Sequence, residues 1–152
     1  MRVALLSPAG RGALAVIHAA GEGARARVEA MLGRPLEDRP RAGTLRAEGR
    51  AVDEVMVRLV PGFTGEETVE ITSHGGASAD AVMAALGGTR VSPEELLERG
   101  VETGALDRLR AEAWVLLPRA ATELAALVLR DQAEGALSRA VEAMASPLDA
   151  AR

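Results

Sequence analysis

The stretch Phe63-Thr64-Gly65-Glu66-Glu67-Thr68-Val69-Glu70-Ile71-Thr72-Ser73-His74-Gly75-Gly76 constrains this chain more than any other. Side chains alternate along an extended strand, so Val69 and Ile71 share one face while Thr68, Glu70 and Thr72 share the other. One face packs; the other presents a carboxylate. His74-Gly75-Gly76 ends the strand, and its glycines let backbone amides come close to a ligand or to the start of the next helix. Such an arrangement suits a polar heterocycle.

Before this motif the pattern is mixed. A short strand is predicted over Val3–Leu6, then a proline-glycine loop through Gly12 and a second strand over Leu14–Ala19. Ala24–Leu32 reads as a helix, with Ala24, Val28, Met31 and Leu32 on one face and Gly33 and Pro35 behind it. Thr44–Ala47 and Val52–Val60 read as strands joined across Gly49, with Val55, Val57 and Leu59 alternating against Glu54, Met56 and Arg58. After the motif, Ser78–Leu86 reads as a helix closed by Gly87-Gly88, and Arg90-Val91 as a return to the sheet.

Beyond Pro93 the composition becomes helical. Ser92 ahead of Pro93, Glu94 and Glu95 is an N-terminal signal, since serine caps and carboxylates favour the positive end of the helix dipole. That helix is expected to stop near Gly100 or Gly104. From Leu106 to about Met144 the chain is rich in Ala, Leu, Glu and Arg, with Pro118 and Gly135 as breaks. Leu124, Leu127, Val128, Leu137 and Val141 mark an apolar stripe. The expected organisation is an α/β domain over 1–92 and a helical extension over 93–152. The expected fold class is α+β, a small mixed or antiparallel sheet with helices on one face, followed by a helical tail.

Composition narrows the chemistry. The 152 residues suit one domain plus a short extension, and 48% hydrophobic residues can fill a core. A net charge of −4 argues against holding nucleic acid by a general positive field. Cysteine is absent, which excludes disulfides, thiolate metal sites and cysteine nucleophiles. All 18 basic residues are arginine, as a GC-rich genome would produce. Without lysine there is no P-loop lysine, Schiff base or lysine general base. No stretch is apolar for long enough to span a bilayer, and a cytoplasmic location is expected. The 2 histidines, His18 and His74, lack a metal-ligand spacing. No nucleophile or acid–base pair is visible, so catalysis by the chain alone is not expected.

Three blocks resemble one family. Ser7-Pro8-Ala9-Gly10-Arg11-Gly12-Ala13 is similar to the Thr-Pro-Pro-Gly-Arg-Gly-Gly opening of the tRNA-modifying GTPases called MnmE or TrmE. Thr64–Gly76 resembles that family's Tyr-Thr-Gly-Glu-Asp-x-x-Glu-x-x-x-His-Gly-Gly. Pro93–Ala113 keeps Glu95, Arg99, Gly104, Leu106, Asp107, Ala111, Glu112 and Ala113 of a third block, and Asp131–Ser138 adds weaker similarity. The resemblance implies the family's N-terminal domain, with a fold like that of glycine-cleavage T-proteins, followed by the first helices without a GTP-binding domain. It also implies a homodimer, which would cover the apolar stripe.

The cofactor so implied is 5-formyl-tetrahydrofolate or a related folate, serving as one-carbon donor in tRNA wobble-uridine modification, with a separate GTPase as possible partner. The candidate binding residues are Gly10, Arg11, His18, Glu66, Glu70, His74 and Arg99. Glu70 would accept from the pterin N–H and amino edge, and Arg11 and Arg99 would meet the anionic glutamate tail. Read without the resemblance, Glu66 is a solvated carboxylate at a strand mouth, Glu70 faces solvent on an open sheet, and His74 hydrogen-bonds a loop. Trp114 and Phe63, the 2 aromatic residues, read as packing groups. His18 stands where the family has an arginine, and Ala105 where it has a basic residue. These departures keep open a second reading, a scaffold that has lost folate.

Overall fold

The computed structural model describes residues 1–8, 10, 12–37 and 39–149. It forms two compact units, Met1–Leu96 and Leu97–Arg152. In the first, strands Arg2–Leu5 (β1), Leu14–Ala20 (β2), Arg41–Ala47 (β3), Arg50–Pro61 (β4), Glu67–His74 (β5) and Thr89–Arg90 (β6) build one sheet. Its order is β3-β4-β5-β2-β1-β6, antiparallel throughout except for the parallel β1/β6 edge. With its helices this is the expected α+β fold with a mixed sheet.

Two helices, Ala24–Leu32 (α1) and Ala77–Leu86 (α2), cover one face. Val28 and Met31 of α1 and Val82, Met83 and Leu86 of α2 pack with Val3, Ile17, Val57, Val69 and Ile71 in a single core. Alternation explains the choice, since these strand residues share parity with one another and oppose Ala4, His18, Arg58 and Glu70. Arg27 on α1 donates from Nε and Nη2 to the carbonyls of Leu86 and Ala85 at 3.1 and 2.6 Å. A guanidinium there satisfies the orphan carbonyls at the end of α2 and ties the helices together.

The β3–β4 hairpin is longer than the hydrophobic pattern predicts. Arg41, Ala42 and Gly43 carry no strand-like side chains, yet their backbones pair with Val57, Met56 and Val55. Its two-residue loop, Glu48 and Gly49, has φ of 50° and 77°, the left-handed geometry that suits a tight antiparallel turn. On the other sheet face a small cluster of Ala4, Ala20 and Leu96, with Leu6 and Val91, covers the β1 end. Leu96 comes from the first turns of Pro93–Glu102 (α3). Ser92 Oγ accepts from the Glu95 amide at 3.1 Å and Glu95 Oε2 accepts from the Ser92 amide at 2.6 Å, a reciprocal capping box.

The second unit contains Arg108–Leu116 (α4), a 3-10 turn over Leu117–Arg119, Glu123–Ala133 (α5) and Ala136–Asp149 (α6). The breaks fall at Pro118 and Gly135, where the sequence places them. Asp107 and Thr122 cap α4 and α5 by accepting from the amides of Arg110 and Ala125. Among the described residues the buried apolar side chains here are few, namely Leu97, Leu106, Ala111, Ala113 and Ala133. Leu124, Val128, Leu137, Val141 and Met144 are exposed.

Ile71 has no exposed surface and lies at the centre of the first unit's core. Truncating it leaves a cavity that the flanking strands cannot close. Ile71→Ala is expected to destabilise the chain by about 2–5 kcal/mol in urea unfolding followed by circular dichroism.

Candidate functional site

The strand register brings three polar side chains into one row across the face opposite α1 and α2. His18 on β2 is the cross-strand partner of Glu70 on β5, and Glu70 is the partner of Arg58 on β4. Arg58 Nε donates to Glu70 Oε1 at 2.7 Å, and His18 Nε2 lies 3.3 Å from Glu70 Oε2. Glu70 therefore has a protein partner at each oxygen. Each oxygen still keeps a lone pair, because an ionised carboxylate offers about four acceptor positions. The ring of Phe63 lies 6.0 Å from that of His18, centre to centre.

Burial and pairing set the charges. Burial pushes the Glu70 carboxyl up, but its bonds to Arg58 and His18 more than offset this and hold it below the usual range. It is ionised at neutral pH. His18 goes the other way: its side chain is only 7% exposed, and this burial lowers its pKa despite the Glu70 bond that favours the cation. A neutral imidazole sharing a carboxylate with an arginine is the result.

The other expected residues lie elsewhere. Glu66 forms an ion pair with Arg2 at 3.1 Å, beside Gly21. It stands four residues before Glu70 along the chain. His74 stands four residues after it, roughly 13 Å along the strand, and bonds not to a loop but to Asp53. Asp53 Oδ1 lies 2.7 Å from His74 Nδ1, and Asp53 Oδ2 accepts from the His74 amide at 2.9 Å. Gly10 lines a cavity of about 330 Å³ with Leu5, Pro8, Gly12, Gly76 and Asp80. Arg11 lies outside the described residues. Arg99 belongs to the second unit, where it bonds Glu102 at 3.2 Å. Of the expected set, the structure brings together His18 and Glu70.

The glycines of His-Gly-Gly have a local use. The Gly75 amide donates to the Ala13 carbonyl, and a Cβ at Gly75 would stand 2.0 Å from the Gly12 carbonyl oxygen. Close approach here joins β5 to the proline-glycine loop.

Residues 2–100 match the family described as GTP-binding protein TrmE N-terminus. The chain belongs to this family. It is 38% identical over 147 residues to the tRNA modification GTPase MnmE of Maricaulis maris, covering 90% of this chain and 33% of that protein. Against the tRNA modification GTPase MnmE of Streptococcus mutans it is 31% identical over 150 residues, 91% of this chain and 33% of that protein. The chain thus spans about a third of the length of these relatives of the TrmE N-terminus family.

Sequence reasoning missed Arg58, Asp53 and Arg2. Alternation put Arg58 on the correct face of β4, but only the register shows that it reaches Glu70. Among the described residues no group of three or more His, Asp or Glu side chains could hold a metal, and no helix is long and apolar enough to cross a membrane.

The Asp53 bond raises the His74 pKa above its ordinary value, so the folded state binds the proton more tightly than the unfolded chain. Stability from this pair is complete below the unfolded value of about 6.5 and is lost as pH rises through the folded one. Asp53→Asn is expected to return the His74 midpoint toward about 6.5 in an NMR titration, and to flatten the loss of stability above neutrality.

Proposed function

We propose that this chain binds a formyl-tetrahydrofolate-type one-carbon donor on the open sheet face around Glu70. In this reading it dimerises, works in the cytoplasm and serves wobble-uridine modification of tRNA without being the GTPase. The observation that carries this is the ionised Glu70 on the sheet face opposite α1 and α2, held by Arg58 and His18. A pterin presents adjacent N–H and amino donors, which a carboxylate can accept together. Phe63 near His18 supplies an aromatic side to the same place. Family membership and the names of the relatives, tRNA modification GTPases, support the link to tRNA.

A second reading has its own observation. His18 is neutral, and both Glu70 oxygens already have protein partners. A face so satisfied also suits a scaffold that kept the fold and lost the ligand.

Titration of the chain with 5-formyl-tetrahydrofolate in a calorimeter separates them. Binding heat and a raised melting temperature are expected, and Glu70→Ala is expected to weaken binding by roughly 10-fold or more. No heat and no thermal shift at saturating ligand would leave the scaffold.

The dimer has a separate check. Leu124 is 72% exposed, and it heads a row of exposed apolar residues on α5 and α6. Apolar surface gathered in this way suits a second copy. Light scattering is expected to give twice the chain mass for the native protein and the single mass for Leu124→Glu, whereas a monomeric native chain would refute the dimer.

A further inference from the structure

Arg58 has donors to spare. Its Nε is engaged by Glu70, and its two terminal nitrogens make no further hydrogen bond among the described residues. Cross-strand pairing with Glu70 holds the guanidinium against the carboxylate, and the side chain is 48% exposed, so the fork remains open to solvent. A guanidinium is rigid and planar; fixing Nε therefore fixes where Nη1 and Nη2 stand.

The pair offers a sequence of acceptor, acceptor and donor along one edge. Glu70 supplies the acceptors through its remaining lone pairs, and Arg58 supplies the donor beside them. The 2-amino-4-oxo edge of a reduced pterin runs in the complementary order: amino N–H, ring N–H, carbonyl oxygen. We infer that Arg58 is the residue that reads the 4-oxo group, donating from its terminal nitrogens to the carbonyl while Glu70 accepts from the two N–H groups. The inference rests on the folate reading above and adds a specificity-determining residue to it.

Charge agrees with this assignment. Glu70 and Arg58 cancel, which suits a neutral heterocycle, whereas an isolated carboxylate would favour a cationic one. His18 is neutral and buried, so it steadies the second Glu70 oxygen without adding a charge. Met56, on the neighbouring row of β4 and 44% exposed, provides an adaptable apolar surface for a flat ring.

The test uses 5-formyl-tetrahydrofolate carrying ¹³C at the 4-oxo carbon, with binding measured by calorimetry and the carbonyl stretch by isotope-edited infrared difference spectroscopy. In the native chain the stretch is expected below its position in water. Arg58→Leu is expected to bind roughly 10- to 100-fold more weakly and to lose that displacement. A role confined to holding Glu70 would lower affinity while leaving the carbonyl stretch unmoved, so an unchanged stretch in Arg58→Leu overturns the inference. A native chain that binds the ligand with no displacement also overturns it, and leaves the folate reading intact. If the native chain binds no folate, the proposed function fails and the inference falls with it. Should Arg58→Leu not fold, Arg58→Lys keeps the charge without the fork and is expected to reduce the displacement, while the native spectrum alone can still refute the assignment.

Discussion

Everything in the first unit depends on β5 lying between β2 and β4 in one antiparallel register. With Ile71 opposite Ile17 and Val57, and Val69 opposite Ala19 and Leu59, the apolar residues of three strands fall on one face. A slip of one residue would invert every side chain and put Glu70 into the core. Burial of Val69 and Ile71 therefore stabilises the sheet and positions the carboxylate by the same act. The packed face and the polar face are consequences of one pairing.

The two faces differ because their cover differs. Helices α1 and α2 exclude water from the core side, while the apolar cluster on the other side is the small one around Ala4, Ala20 and Leu96 among the described residues. Glu70 keeps its charge there because Arg58 and His18 compensate for partial desolvation. His18 loses its charge in the same neighbourhood because its burial is deeper and it has a single carboxylate to favour the cation. Within one row of side chains, local exposure thus sorts charged from neutral groups.

Much of the fold was legible in the residue pattern, and the reasons are specific. The α1 range was readable from Ala24, Val28 and Met31 against the glycines that flank it, and Ser92 with Glu95 announced the start of α3. Arg41 to Gly43 were not readable as strand, because backbone pairing with β4 and not side-chain hydrophobicity holds them there. Partners within the site were harder still. Glu70 stands out by its position, but Arg58 and Asp53 acquire meaning only through register, and alternation within one strand carries no information about register with the next. Likewise the motif's three candidate site residues, Glu66, Glu70 and His74, sit in one sequence block, yet Glu66 and His74 serve pairs at opposite ends of the strand.

The helical unit contrasts with the sheet in what fills it. Among the described residues its buried apolar side chains are Leu97, Leu106 and three alanines, while Leu124, Leu127, Val128, Leu137, Val141 and Met144 are exposed. Small side chains remove little oily surface from water, and short helices draw most of their stability from packing, so burial holds these helices weakly. Amide exchange in α5 and α6 should therefore run ahead of exchange in β2 and β5. Order in that part of the molecule is conditional, and whatever shields its outward side chains governs its persistence.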